Sequence, residues 1–313
     1  MNERTEADHG VHTDPAALAE LSEAAEHEHT AVTATGAVVG YEPGRTLPFG
    51  VELRRQLRRR RTQFLLALVA LLPFLLVVAF EVGEASPNRR SGGFIDLATA
   101  SAPNFVVFTL LVSASFLLPM IVALFFGDTI ASEASWSSLK YLLAIPVPRH
   151  RVLRQKAQVA GALSVGALTV LPAVALVVGV FWYGAGDAIS PTGDAVPFGA
   201  SLFALLLAVG YIVIQLTWVA GLALLLSVST DAPLGAVGGA VLVSILSQIL
   251  DQITALGDLR NYLPTHYAMA WLDLIATDVE WTDLANGALT SVCFGTAFGL
   301  LAARRFARKD ITS

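Results

Sequence analysis

Apolar residues are gathered into six long blocks, at about 64–80, 105–126, 157–183, 198–229, 232–256 and 284–303. Each is long enough to cross a hydrocarbon core of roughly 30 Å as a helix. The first holds thirteen Leu, Val or Phe residues among its seventeen positions. At about −0.3 to −0.6 kcal/mol each, they favour insertion by roughly 4–8 kcal/mol before the cost of Pro73 and the backbone. The predicted fold class is therefore all-α, a polytopic membrane protein with six transmembrane helices. Block 198–229 carries no charged residue and exceeds a straight crossing, which predicts tilt, or a bend near Gly210 or Gly221.

Two shorter patterns stand beside these blocks. Over residues 49–63, Phe49, Leu53 and Leu57 recur every four positions, with Glu52, Arg54, Arg55 and Arg58 on the remaining faces. That spacing predicts an interfacial amphipathic helix, apolar side toward lipid and basic side toward anionic headgroups. Between the second and third blocks, Glu133 to Lys156 predicts a helix–break–helix elbow. Trp136, Leu139 and Leu143 share one helical face, and Glu133, Ser137 and Lys140 another. Pro146 and Pro148 end the first helix, and Arg149 opens a second that leads into the next block with Arg151, Arg154 and Lys156. Residues 257–283 predict a short helix after Pro264, with Leu263, Tyr267, Trp271 and Leu274 as a stripe resting at the interface and His266 as a surface residue.

Composition agrees with the pattern. The hydrophobic fraction is 55%, charged residues make up 14%, and the mean hydropathy is +0.63, whereas soluble domains carry about a quarter charged residues. The net charge of −5 averages unlike regions. Residues 1–48 hold nine acids and two arginines, lack any apolar run, and predict a disordered acidic tail, whereas residues 54–61 hold six arginines. No signal-peptide core precedes residue 64. With an N-terminus inside, fifteen Lys and Arg residues flank the spans on the cytoplasmic side and three lie outside. By the positive-inside tendency, both termini and the elbow are cytoplasmic in the cell membrane. The arginine run beside a span reads as a lipid contact, with no nucleic acid as partner.

Several chemistries find no residues. The sequence contains no phosphate loop of the Gly-x-x-x-x-Gly-Lys-Ser/Thr type and no His-Glu-x-x-His. His27 and His29 are two residues apart, wrong for a zinc-binding helical turn, and Ser201 has no histidine in any span to activate it. Cys293 is the lone cysteine, expected to be a small buried hydrophobe. The expectation is a chain with no catalytic, metal or cofactor site. Polar positions within the spans are Gln215, Gln248 and Asp251, with Asp128 at an inner end. Asp251 lies near an interface, where its charge is tolerable, and has no second ionisable partner within the spans.

The elbow also carries a resemblance. Glu133, Leu139-x-x-Leu142-Leu143, Pro146-Val147-Pro148-Arg149, Leu153 and Lys156 are similar to the cytoplasmic loop of ABC-2 type transporter permeases, and Glu52 and Arg54 to the interfacial helix of that family. Ser137 and Pro148 depart from the family's usual glycine and serine. The resemblance covers roughly residues 49–310, with 64–310 as the six-span domain. It implies a permease subunit that acts as an exporter of a hydrophobic or amphipathic solute. Two such subunits, a homodimer or a paralogous pair, would each dock a separate ABC ATP-binding subunit that holds ATP and Mg. Docking would use Glu133, Trp136, Leu139, Lys140, Pro146, Pro148, Arg149 and Lys156 as a coupling helix. A secondary transporter working alone and a non-transporting membrane scaffold remain the alternatives.

Overall fold

A computed structural model describes residues 48–84, 94–135, 148–189, 193–276 and 279–309. Trp136, Leu139, Lys140 and Pro146, and with them the first half of the expected elbow, lie outside the described residues, as does the acidic tail. The described chain is built almost wholly of helices. They are α1 (Phe49–Leu57), α2 (Arg60–Glu84), α3 (Phe94–Ala98), α4 (Ala102–Ala114), α5 (Leu117–Ser135), α6 (Arg149–Tyr183), α7 (Phe198–Gln215), α8 (Thr217–Ser229), α9 (Pro233–Asp251) and α10 (Trp281–Ala307). A two-stranded antiparallel ribbon, β1 (Ala188–Ile189) with β2 (Ala195–Val196), links α6 to α7. Two 3-10 segments, Thr254–Tyr262 and Ala270–Ile275, lie between α9 and α10. Among the described residues, six helical stretches are long and apolar enough to cross a membrane.

The second span is a two-piece helix, α4 then α5, interrupted at Ser115 and Phe116. Pro119 explains the interruption, since it has no N–H to give the carbonyl four residues back. That carbonyl belongs to Ser115, and Gln248 of α9 takes the vacant place, its Nε2 donating to Ser115 O at 2.7 Å. The fourth span breaks too, at Leu216 and not at Gly210 or Gly221. Its cause is tertiary. Gln215 Nε2 donates to Pro264 O at 2.8 Å, and Tyr211 Oη to Tyr267 O at 2.8 Å, so the segment after α9 is bonded directly to the bend.

That segment consequently differs from the surface helix expected. It is 3-10 in geometry, and Trp271 is wholly buried. Its carbonyls, which a lipid-facing loop could not satisfy, find donors on α7. Exposed rings are found at Tyr262 of that segment and on α2, α6 and α7, at Phe64, Phe181 and Phe203.

The tightest helix pairing is α8 against α10. A Cβ added to Gly221 would meet the Gly295 carbonyl oxygen at 2.5 Å, and one on Gly295 would meet the Thr217 carbonyl oxygen at 2.7 Å. Only glycine permits backbones this close, the device membrane helices use where no hydrophobic effect drives association. On α9 a Cβ at Gly238 would meet open space, while one at Gly239 would meet the Leu226 side chain at 3.1 Å. Cys293 is exposed on α10 rather than buried, on the face α10 turns away from α8.

Candidate functional site

All the arginine-rich stretches meet at one end of the bundle, where α1, the end of α5 and the start of α6 come together. Leu53 is the residue of α1 packed against the core, and this turns Glu52 and Gln56 inward while Arg54, Arg55 and Arg58 keep exposed positions. Thr129 and Ser132 of α5 donate back to the Phe125 and Asp128 carbonyls. Two turns of α5 therefore keep their hydroxyls inside the helix, and Glu133 is presented at its last turn. Pro148 has extended geometry directly before α6, so the helix starts at Arg149 and Lys156 falls on its buried face.

These side chains form an alternating network. Lys156 Nζ donates to Glu133 Oε1 at 2.9 Å and lies 3.7 Å from Glu52 Oε1. Arg55 Nη2 bridges the same two carboxylates, at 2.8 Å from Glu52 and 3.1 Å from Glu133, and Gln56 Nε2 adds a bond to Glu52 at 3.1 Å. Lys156 and Glu133 are deeply buried, with side chains 6% and 10% exposed. Burial raises the cost of charging Glu52, yet the Arg55 hydrogen bond and the Lys156 charge outweigh it and hold its carboxyl below the ordinary value. Arg55 is shifted up, burial being outweighed by Glu52 and then Glu133. Two acids and two bases balance, which makes their burial tolerable. A second ionic knot ties Asp128 of α5 to Arg61 at the start of α2 and to Arg59 at 3.7 Å. The cavity between the two knots is about 20 Å³, room for one water and no solute.

Arg149 is used within the chain. Its Nη1 donates to the Ala307 and Lys309 carbonyls at 3.2 and 2.9 Å, placing a cation on the C-terminus of α10. Lys309 in turn reaches Asp231 at 2.8 Å, which joins α10 to the α8–α9 turn. Of the elbow residues singled out from sequence, Glu133 and Lys156 are thus brought together, whereas Arg149, on the same helix as Lys156, bonds instead to the end of α10. Spacing gave no sign of the Arg55–Glu133 and Arg61–Asp128 contacts, because both cross between segments about 70 residues apart.

The opposite end is acidic, with Asp187, Asp194, Asp258 and Asp273 there. Gln215, Gln248 and Asp251 surround one chamber at this end rather than lining separate spans. Asp251 has the ionisable partner that the spans lacked. His266 Nδ1 lies 2.5 Å from its Oδ1, delivered by the segment after α9. His266 is therefore no plain surface residue.

Comparison with known families adds one finding. The profile described as ABC-2 family transporter protein matches residues 54–229, more than half of the chain, from within α1 to the last residue of α8. The match takes in Arg55, Asp128, Glu133 and Lys156 together with the whole elbow. No curated protein matches the chain. Six membrane-length helices and this match give the assignment: the chain belongs to the ABC-2 family of transporter proteins, and is a multi-pass ABC transporter permease.

Proposed function

We propose that this permease is the membrane half of an exporter driven by a separate ATP-hydrolysing chain, which grips the 133–156 cytoplasmic loop at the basic end. The single observation that carries this is the Glu133–Lys156 pair. It clamps the two ends of that loop to each other, while Arg55 ties α1 to Glu133 and Lys156 reaches Glu52 of α1. A push on the loop would then move α5, α6 and α1 as one piece. In this reading Trp136, Leu139, Lys140 and Pro146 contact the partner, while Glu133 and Lys156 transmit from inside and Arg149 and Pro148 set the start of α6. Fifteen basic residues against three support a cytoplasmic basic end and cytoplasmic termini. The uniformly apolar spans suit a hydrophobic or amphipathic solute moved by alternating exposure between two subunits, which are two copies of this chain or a paralogous pair. ATP and Mg belong to the partner.

The test is co-reconstitution with the ATP-hydrolysing chain in nanodiscs, reading association and ATP turnover separately. Trp136→Ala and Leu139→Glu are expected to abolish association. Lys156→Met is expected to keep association and lose solute-stimulated turnover. Loop variants that leave both readouts unchanged would overturn the proposal.

The Asp251–His266 pair is the observation favouring a second reading, an ion-driven transporter acting alone. It requires solute uptake by the isolated chain in liposomes under a proton gradient, and absence of that uptake removes it.

A further inference from the structure

The chamber at the acidic end has a volume of about 140 Å³. Its rim is Asp251, Gln252 and His266, which solvent reaches, and its floor is Ser244 and Trp218, respectively 1% and 2% exposed. Ala114, Pro119, Leu216 and Met269 make the walls apolar. Two polar atoms at the floor, Ser244 Oγ and Trp218 Nε1, are buried without a hydrogen-bond partner among the described residues. Leaving a buried donor unmet is costly, and an acceptor held by the chamber would satisfy both. Trp218 Nε1 can only donate, which makes an oxygen the fitting atom. At the rim the requirement is reversed. There the Asp251 carboxylate accepts, while Gln215 and Gln248 of the lining direct their Nε2 donors to the Pro264 and Ser115 carbonyls.

From floor to rim, Ser244 to Asp251, is seven residues of α9, about 10 Å. A cavity of about 150 Å³ accepts a solute of about six heavy atoms. We propose that the chamber binds a short-chain organic ammonium with a terminal oxygen, its ammonium on Asp251 and its oxygen on Ser244 and Trp218. The alkyl segment lies along Leu216, Pro119 and Met269. His266 and Arg260 are the basic groups beside Asp251: the imidazole faces its carboxylate and Arg260 Nη1 donates to its backbone carbonyl at 3.3 Å. Neither fills the chamber's floor. The site lies within one subunit and does not depend on the coupling reading, because its test needs no ATP and no partner.

Calorimetric titration of the full chain in nanodiscs tests it with three probes. Aminobutanol carries both polar ends, butylammonium lacks the oxygen, and butanediol lacks the charge. Aminobutanol is expected to bind saturably, with butanediol at least about tenfold weaker and butylammonium weaker by a smaller factor. Asp251→Asn keeps a hydrogen-bonding group for His266 and is expected to bring aminobutanol down to the butanediol level. Trp218→Phe and Ser244→Ala are expected to erase the preference for aminobutanol over butylammonium, which keeps the inference testable if the first variant fails to fold. Equal binding of aminobutanol and butanediol, indifference to Asp251→Asn, or no saturable heat with any probe would overturn it. Nanodiscs with and without phosphatidylethanolamine separate a lipid headgroup from a free amine: competition by that lipid or its absence both leave the site standing, while loss of binding in both lipids does not.

Discussion

Replacing Lys156 with methionine keeps the aliphatic stem and removes the charge at the centre of the basic-end network. Breaking a buried pair from one side costs about 3–5 kcal/mol, since the other charge stays buried. Among the described residues Glu133 then keeps Arg55 at 3.1 Å, but the Arg55 side chain is 51% exposed. A solvent-screened partner returns only about 0.5–1 kcal/mol. The expected loss is therefore about 2–4 kcal/mol, or roughly 5–15 °C in Tm at a few degrees per kcal/mol. Glu133→Gln should cost a similar amount, because Lys156 is left with Glu52 at 3.7 Å. With both changes no uncompensated charge remains between those two positions. Lys156→Met with Glu133→Gln should then be no less stable than either single variant, giving a coupling energy of at least about 2 kcal/mol. The assay is thermal unfolding in nanodiscs followed by tryptophan fluorescence, over the full double-mutant cycle. Single losses that add to within about 0.5 kcal/mol would refute the idea that these residues act as one clamp.

Because the folded Glu52 carboxyl sits below its ordinary value of 4.5, its contribution is complete above that pH and is lost as pH falls through the lower folded value. Wild type and Glu52→Gln should thus converge in thermal stability only below about pH 4.5, and convergence nearer neutrality would contradict the assignment. Gly221→Ala should destabilise by about 1–3 kcal/mol despite alanine's better helix propensity, because the added carbon meets backbone and not a movable side chain; a stabilised variant in a melting experiment would show that α8 and α10 are not in that contact. Pro119→Ala restores the missing donor for Ser115, so Gln248→Leu should cost measurably less in that background than in wild type. Arg149→Gln should speed hydrogen exchange over residues 304–309 without changing exchange in α7.

Much of the architecture is legible in the chain itself. Leucine- and valine-rich blocks mark the spans because lipid permits few alternatives to a helix, and Phe49, Leu53 and Leu57 mark α1 by period alone. The bend at Leu216 is not legible: neither proline nor glycine stands there, and its origin is two hydrogen bonds to carbonyls some 50 residues away. Asp251 and His266 could not be paired from spacing, since the turns between them are irregular and set by where Trp271 is buried. The basic-end network is an intermediate case. Glu133 and Lys156 are placed on the same end by topology, but the inward turn of Glu52 depends on which face Leu53 finds to bury.

The Gly221–Gly295 approach has a mechanical corollary. Where carbonyl oxygen rests on α-carbon with no side chain between, one helix cannot slip along or roll over its neighbour without lifting away from it first. The fourth and sixth spans accordingly travel as a welded plate. Any stroke that opens a passage must be absorbed at other seams, where side chains stand between the backbones.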